Sequence, residues 1–332
     1  MVMYLHYIRR VPTNVHAQET LIPKHAEWIK DTVRTFSPTD NHVTLASGRS
    51  IQYEYLIVAA GLQINWNAIK GLPEALVDST SGVSSIYSYD TCSQTATDIE
   101  ALRSGKAIFT QPAGVIKCAG GMFPQARKFA IAMTQGPLYL APQKVMWQAW
   151  DRYKTTGRDQ SVQVSFFTGM PTMFAVPKYS EVLNALRVER GIPGYFQHNL
   201  TSVDAANHKA TFKKADGSEH VEDYTILHVT PPQGPPDFIK GSPLADQAGW
   251  VEVNPATTQH TRFENVFSIG DTSSLPTSKT IAAITAESPV LAENLASLMV
   301  TGKVGEAKYD GYTSCPVRLL ELCPLGMPTD RS

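Results

Sequence analysis

Two apolar runs that stop on small residues constrain this chain more than anything else in it: "YEYLIVAAG" (53–61) and "NVFSIGD" (265–271). A continuous β-rich run closed by Ala59, Ala60 and Gly61 predicts a strand buried on both faces, and its final glycine lets another group approach the backbone. In the second run a strand ends at Gly270, which puts Asp271 at the carboxyl end of the strand, where open α/β sheets bind ligands. A carboxylate there accepts hydrogen bonds from ribityl or ribose hydroxyls. The following "LPTSKTIAA" (275–283) reads as a helix start, whose free N–H groups favour negative charge, and Lys279 adds a cation. The same residues also admit plainer roles: Asp271 as the cap of a turn, Lys279 as a solvated lysine.

The rest of the pattern agrees with an α/β chain. "HVTLASGRSIQ" predicts a hairpin around Ser47-Gly48, and "KGLPEAL" a loop. "KAIFTQP" (106–112) and "VQVSFFTGM" (162–170) are strands, and "YSEVLNALRVERG" (179–191) is a helix ended by Gly191. A meander follows, with turns at Asp204–Asn207 and Asp216-Gly217. "TIAAITAESPVLAENLASLMV" (280–300) reads as a partly buried helix pair around Pro289. Alternating strands and helices argue for a largely parallel sheet. The 332 residues suggest two domains, because one core rarely grows past ~250–300 residues.

Composition excludes several classes of function. A formal net charge of −1 gives no pull toward nucleic acid or an anionic surface. No apolar run is long enough to span a membrane, and the opening residues hold no secretory signal. Four scattered cysteines, Cys92, Cys118, Cys315 and Cys323, make no disulfide scaffold, and no cysteine or histidine spacing suggests a metal site. A lone cysteine is often a small buried hydrophobe. Cys118, however, ends a β-branched run beside Lys117, and a thiolate next to a cation is activated.

Longer stretches carry a resemblance. "IFTQPAGVIKCAG…APQKVMW", "LHVTPPQGPPDFIKGSPLADQAGWVEVNPATTQHTRFENVFSIGDTSSLPTSKTIAA" and "KYDGYTSCP", within about Ile22 to Pro316, resemble the mitochondrial-type sulfide:quinone oxidoreductases. These are glutathione-reductase-like flavoproteins with two dinucleotide-binding domains. The resemblance implies two Rossmann-like domains: an FAD domain from 22–100 and 226–310, and a second domain over 101–225. It implies FAD as cofactor, hydrogen sulfide as donor, ubiquinone as acceptor, and glutathione or sulfite as sulfur acceptor. It further implies a mitochondrial protein at the inner-membrane surface. Cys118 and Cys315 fall on the family's two redox cysteines. Asp271 and Lys279, with Ala60, Gly61 and Gly270 at the two strand ends, fall on flavin-side positions, and Val33 on the strand that touches the adenine end. The Cys118 loop takes the place of a nicotinamide glycine loop.

Three departures qualify the expectation. The family's first strand with G-x-G-x-x-G, whose glycines hold the FAD pyrophosphate, has no counterpart here, so the FAD domain is expected to be incomplete at its N-terminus. Removing residues 121–140 joins Cys118-Ala119-Gly120 to Ala141-Pro142-Gln143-Lys144 and restores the family pattern, which makes that segment an insertion, read as a translated intron or as a lid. After Pro316 the tail 317–332 leaves the family pattern. Two alternatives therefore stand beside sulfide oxidation. One is a truncated, inactive homologue, or the product of a wrongly assembled gene, that binds no FAD. The other is an NADH:quinone oxidoreductase of the same fold.

Overall fold

The computed structural model describes residues 17–117, 129–130 and 141–314. Cys118, Cys315, most of the expected insertion 121–140 and the tail 317–332 lie outside the described residues.

The chain first builds an antiparallel sheet from β1 (Val33–Ser37), β2 (His42–Leu45) and β3 (Ser50–Gln52). The turn at Ser47-Gly48 joins β2 to β3, as the sequence predicts. Next come β4 (Leu56–Val58) and the short β5 (Gln63–Ile64). β4 is shorter than expected and is not buried on both faces, for Ile57 is 46% exposed. Leu56 and Val58 turn toward the core, while Ile57 points to the other face of the strand. The "KGLPEAL" stretch is not a loop: Leu72–Val77 form α1, because Pro73 falls in its first turn, where a missing N–H costs nothing.

β6 (Val83–Ser84) and α2 (Tyr89–Ala101) follow, then β7 (Gly105–Gln111). β8 is the pair Phe129–Ala130, within the stretch expected to be an insertion. α3 (Ala141–Thr155), β9 (Val162–Thr168), α4 (Pro177–Glu189) and β10 (Gly194–Phe196) complete the alternation. The meander is β11 (His198–Asp204), β12 (Lys209–Lys214) and β13 (Glu219–Asp223), with turns where the sequence predicts them. β14 (Ile226–His228) then joins a five-stranded parallel sheet ordered β10-β9-β7-β14-β6.

That sheet is buried on both faces, which is why β7 and β9 read as near-continuous apolar runs. Phe109 and Phe166 pack with Trp147 and Tyr153 of α3 on one side. On the other, Ile108, Phe167 and Leu227 pack under the meander, where the Phe167 ring stacks on Phe212 and on Tyr195, each at 4.1 Å between centroids. His228 is buried on the first face, its ring stacked 5.9 Å from that of Phe109, with Nε2 accepting a hydrogen bond from the Ile86 N–H at 3.3 Å, and burial pushes its pKa down to about 3. The unfolded chain takes up that proton near pH 6.5, so stability falls as pH drops from about 6.5 toward 3. His228→Gln is expected to remove roughly 3 kcal/mol of the loss between pH 7 and pH 4, read from urea midpoints at the two pH values.

The C-terminal part holds β15 (Gln233–Gly234), β16 (Val266–Ser268), α5 (Ile281–Thr301) and β17 (Thr313–Ser314). β15 pairs with β5, β16 runs parallel to β4, and β17 runs parallel to β8. The expected helix pair at 280–300 is one helix with Pro289 inside it. It continues through the proline on a buried stripe of Ala283, Leu291 and Leu298, and the Ser288 hydroxyl donates to the Ile284 carbonyl beside the break. Among the described residues no helix is long and apolar enough to cross a membrane.

Candidate functional site

The two strand ends singled out in the sequence lie side by side. β4 and β16 are in register, Val58 opposite Ser268, and the Ser268 hydroxyl donates to the Val58 carbonyl at 2.7 Å. Both strands leave the sheet through glycines in the left-handed region, Gly61 at φ +75° and Gly270 at φ +72°. A Cβ on Gly61 would meet nothing within 4 Å, so this strand end opens onto free space beside exposed Ala59 and Ala60. Gly270 turns tightly, and a Cβ there would press on the Ile284 side chain at 3.0 Å.

Asp271 follows in a 3-10 turn, its carboxylate largely covered and 2.9 Å from the ammonium of Lys117. That ion pair alters the expected role of Lys117: its charge is committed to Asp271 and is not a free activator for the neighbouring thiol. Lys117 is also held through its backbone, the N–H donating to Gln233 Oε1 at 2.7 Å and the carbonyl accepting from the Tyr87 hydroxyl at 3.1 Å.

Lys279 is not a solvated lysine, for it is 5% exposed. Its Nζ donates to the Ser273 carbonyl at 2.5 Å and sits 4.5 Å from the centre of the Trp250 ring. Burial pushes its pKa down to about 8, with Asp271, Glu287 and Asp246 pulling the other way. The helix begins later than expected: Thr280 is the N-cap, its hydroxyl accepting from the Ala283 N–H at 3.1 Å, so Lys279 and Thr277 precede α5. The Thr280 and Thr313 hydroxyls lie 2.9 Å apart, which ties the helix start to the segment two residues before Cys315.

Sequence reasoning missed Glu287. It is buried inside α5, its Oε2 accepts the Gly270 N–H at 2.7 Å, and burial raises its pKa. The signal was present, since Glu287 and Asn294 fall on the stripe of Ala283, Leu291 and Leu298 and are its two polar members. Val33, in contrast, starts β1 and packs partly buried against the core of the antiparallel sheet. Cys92 is a buried helical thiol whose pKa burial raises, which fits a packing role.

These groups have the chemistry to hold a polar cofactor. The strand that leads to the open Gly61 lies beside the one that ends at Asp271, and buried Lys279 stands just before the N-cap of α5 with its Nζ on the Ser273 carbonyl. Thr272 Oγ1 and Ser278 Oγ are buried there without a hydrogen-bond partner among the described residues, as is Gln233 Nε2. Among the described residues no group of three His, Cys, Asp or Glu side chains could hold a metal ion.

No family model matches the sequence. The chain is 42% identical over 305 residues to the mitochondrial sulfide:quinone oxidoreductase of Dictyostelium discoideum, an alignment covering 90% of this chain and 62% of that protein. It is 37% identical over 311 residues to the Mus musculus protein of the same name, covering 93% of this chain and 64% of the other. The chain thus spans a little over three fifths of the length of these curated relatives. Among solved structures, a chain of the Tetrahymena thermophila mitochondrial ATP synthase matches with a TM-score of 0.75 at 22% identity, over 96% of this chain and 75% of that one. The sulfide:quinone oxidoreductase of Aquifex aeolicus matches at 0.62 with 15% identity, over 89% of this chain and 67% of that one. At these identities the structural likeness is one of fold, the α/β architecture of Rossmann-like units. By sequence, the chain is similar to the mitochondrial-type sulfide:quinone oxidoreductases over about nine tenths of its own length.

Proposed function

We propose that this chain is the greater part of a flavoprotein that oxidises hydrogen sulfide and passes two electrons to ubiquinone. The observation that carries the reading is the Lys117–Asp271 ion pair: it fastens the residue before Cys118 to the carboxylate at the end of β16. Thr313, two residues before Cys315, is joined to Thr280 by a hydrogen bond between their hydroxyls. The two cysteine segments are therefore both rooted on the frame that would hold the cofactor.

FAD is the cofactor in this reading, held by Ala60, Gly61, Gly270, Asp271 and Lys279, with Val33 on its adenine side. When bound, it supplies the two-electron relay between the thiols and the quinone. Asp271 accepts hydrogen bonds from hydroxyls. Lys279 and the N-terminus of α5 favour negative charge, at a site where burial strengthens each interaction. Hydrosulfide attacks one sulfur of a bridge between Cys118 and Cys315; a new S–S bond forms and the bridge breaks, leaving a persulfide on one cysteine and a thiolate on the other. In the balance, sulfide loses two electrons, ubiquinone gains two electrons and two protons, and glutathione or sulfite carries away the sulfur.

The relatives' names carry sulfide and quinone and no nicotinamide nucleotide, so they favour neither the NADH-dependent alternative nor an inactive protein. Their names also support a mitochondrial location, and we place the chain at the inner-membrane surface. The two-unit division with an FAD domain at 22–100 and 226–310 belongs to this same reading. The testing experiment is sulfide-dependent reduction of a short-chain ubiquinone by the FAD-loaded chain, which the reading expects and which NADH should not replace as donor. Turnover with NADH alone would sink it.

A further inference from the structure

α5 meets the end of β16 at two points. The Ile284 side chain lies against Gly270, and about one turn further along the helix Glu287 Oε2 accepts the Gly270 N–H at 2.7 Å. From Gly270 a chain of bonds runs on to Lys279. The Ser273 hydroxyl donates to the Gly270 carbonyl at 2.8 Å, and the Ser273 carbonyl accepts from Lys279 Nζ. The turn that carries Asp271 is therefore held at its start by Glu287 and at its end by Lys279.

Hydrogen bonding alone does not call for a carboxylate at position 287. The Gly270 N–H needs one acceptor, and a glutamine oxygen would supply it. Glu287 is 2% exposed and burial raises its pKa, so a charge there costs free energy. Lys279 is the opposite case, a cation whose pKa burial pushes down to about 8. Each of the two offsets the burial of the other. The remaining charges that act on Lys279 are engaged elsewhere. Asp271 is paired with Lys117 at 2.9 Å. Asp246 Oδ1 accepts the N–H groups of Ala248 and Trp250, at 2.8 and 2.9 Å, within its own turn. Tyr309, near Glu287, has its pKa raised by burial, stays neutral, and donates to the Tyr312 carbonyl at 2.6 Å. Among the described residues Glu287 has no cation in direct contact, so Lys279 is the one its charge acts on.

We infer that Glu287 is a positioning residue of the strand-end site, tying α5 to the Gly270–Asp271 turn and holding the positive charge of Lys279. This rests on reading the strand ends as the cofactor site. Trp250 supplies the test. Lys279 Nζ lies 4.5 Å from the centre of its ring, so loss of that charge shifts the indole emission. Emission of the full chain without flavin is followed from about pH 6 to about pH 10, and the same titration on a Trp250→Phe background is subtracted. The midpoint should lie near 8 in the wild type. Glu287→Gln keeps an oxygen for the Gly270 N–H but removes the charge, and should lower the midpoint by about half a pH unit or more. A purely structural role would leave it in place, and an unchanged midpoint in the folded variant would overturn the inference. Should Glu287→Gln not fold, Lys279→Met tests the pair from the other side. It should raise the pH at which the buried Glu287 carboxyl ionises, followed by its infrared carbonyl band, and an unmoved band would count equally against the inference. Flavin enters only in a second measurement. The pH above which FAD affinity falls should drop in Glu287→Gln together with the Trp250 midpoint; an identical pH dependence in both proteins would contradict the role. If neither protein binds FAD, the proposed function fails, while the Trp250 midpoint still decides whether Glu287 holds the charge of Lys279.

Discussion

Cys118→Ser is expected to lower sulfide-dependent quinone reduction by roughly a thousandfold or more while leaving flavin binding unchanged. A serine hydroxyl cannot form the sulfur–sulfur bond through which sulfide would be held, and its pKa leaves it protonated where a thiol is partly ionised. The groups proposed to face the flavin are different residues, Asp271, Lys279 and the two strand-end glycines, and the variant leaves them in place. Cys315→Ser should behave in the same way, because a bridge needs both sulfurs. Measuring turnover and bound-flavin absorbance on the same preparations separates the two effects. Loss of both together would mean that the cysteine supports the cofactor site and not the sulfur chemistry.

The second large effect is on stability. Asp151 of α3 and Arg190, just after α4, form an ion pair at 3.0 Å with side chains 3% and 5% exposed. The guanidinium also lies over the Trp147 and Trp150 rings, at 5.4 and 4.3 Å from their centres, and the Arg190 carbonyl accepts the Trp150 indole N–H at 3.1 Å. Such a pair fixes the packing of two helices on the parallel sheet. Asp151→Ala strands a buried cation and should cost ~3–5 kcal/mol, seen as a lower urea midpoint. The double variant Asp151→Leu/Arg190→Met should recover most of that, since removing both charges leaves none uncompensated. Equal losses in the single and double variants would contradict this role for the pair.

The parts of the site that are continuous in sequence were readable from it. The runs ending at Gly61 and Gly270 imposed strand ends at a carboxyl edge, and the meander turns carried the residue types their backbone demands. Contacts made across the chain were not readable. Nothing local says that Lys117 reaches Asp271, far along the chain, or that Gln233 accepts its N–H. The plainer, solvated role for Lys279 rested on lysine's usual exposure; the Ser273 carbonyl and Trp250, which comes from a separate loop, cover it. Pro289 suggested a break because a proline inside a helix removes one hydrogen bond, yet packing along the stripe of α5 outweighs that loss. The exposure of Ile57 has a similar origin, since an apolar run presumes a packed layer on each face, and in β4 only the face of Leu56 and Val58 meets the core.

If the strand ends at Gly61 and Gly270 hold a flavin, titrating the chain with FAD will show it. Quenching of flavin fluorescence at pH 7 should give a dissociation constant in roughly the micromolar range or below, with Asp271→Ala weakening it at least about tenfold. Affinity should also fall as pH rises through about 8, where buried Lys279 loses its positive charge. A folded chain that leaves FAD fluorescence unquenched, or binds it equally well with alanine at position 271, would contradict a flavin site at these strand ends.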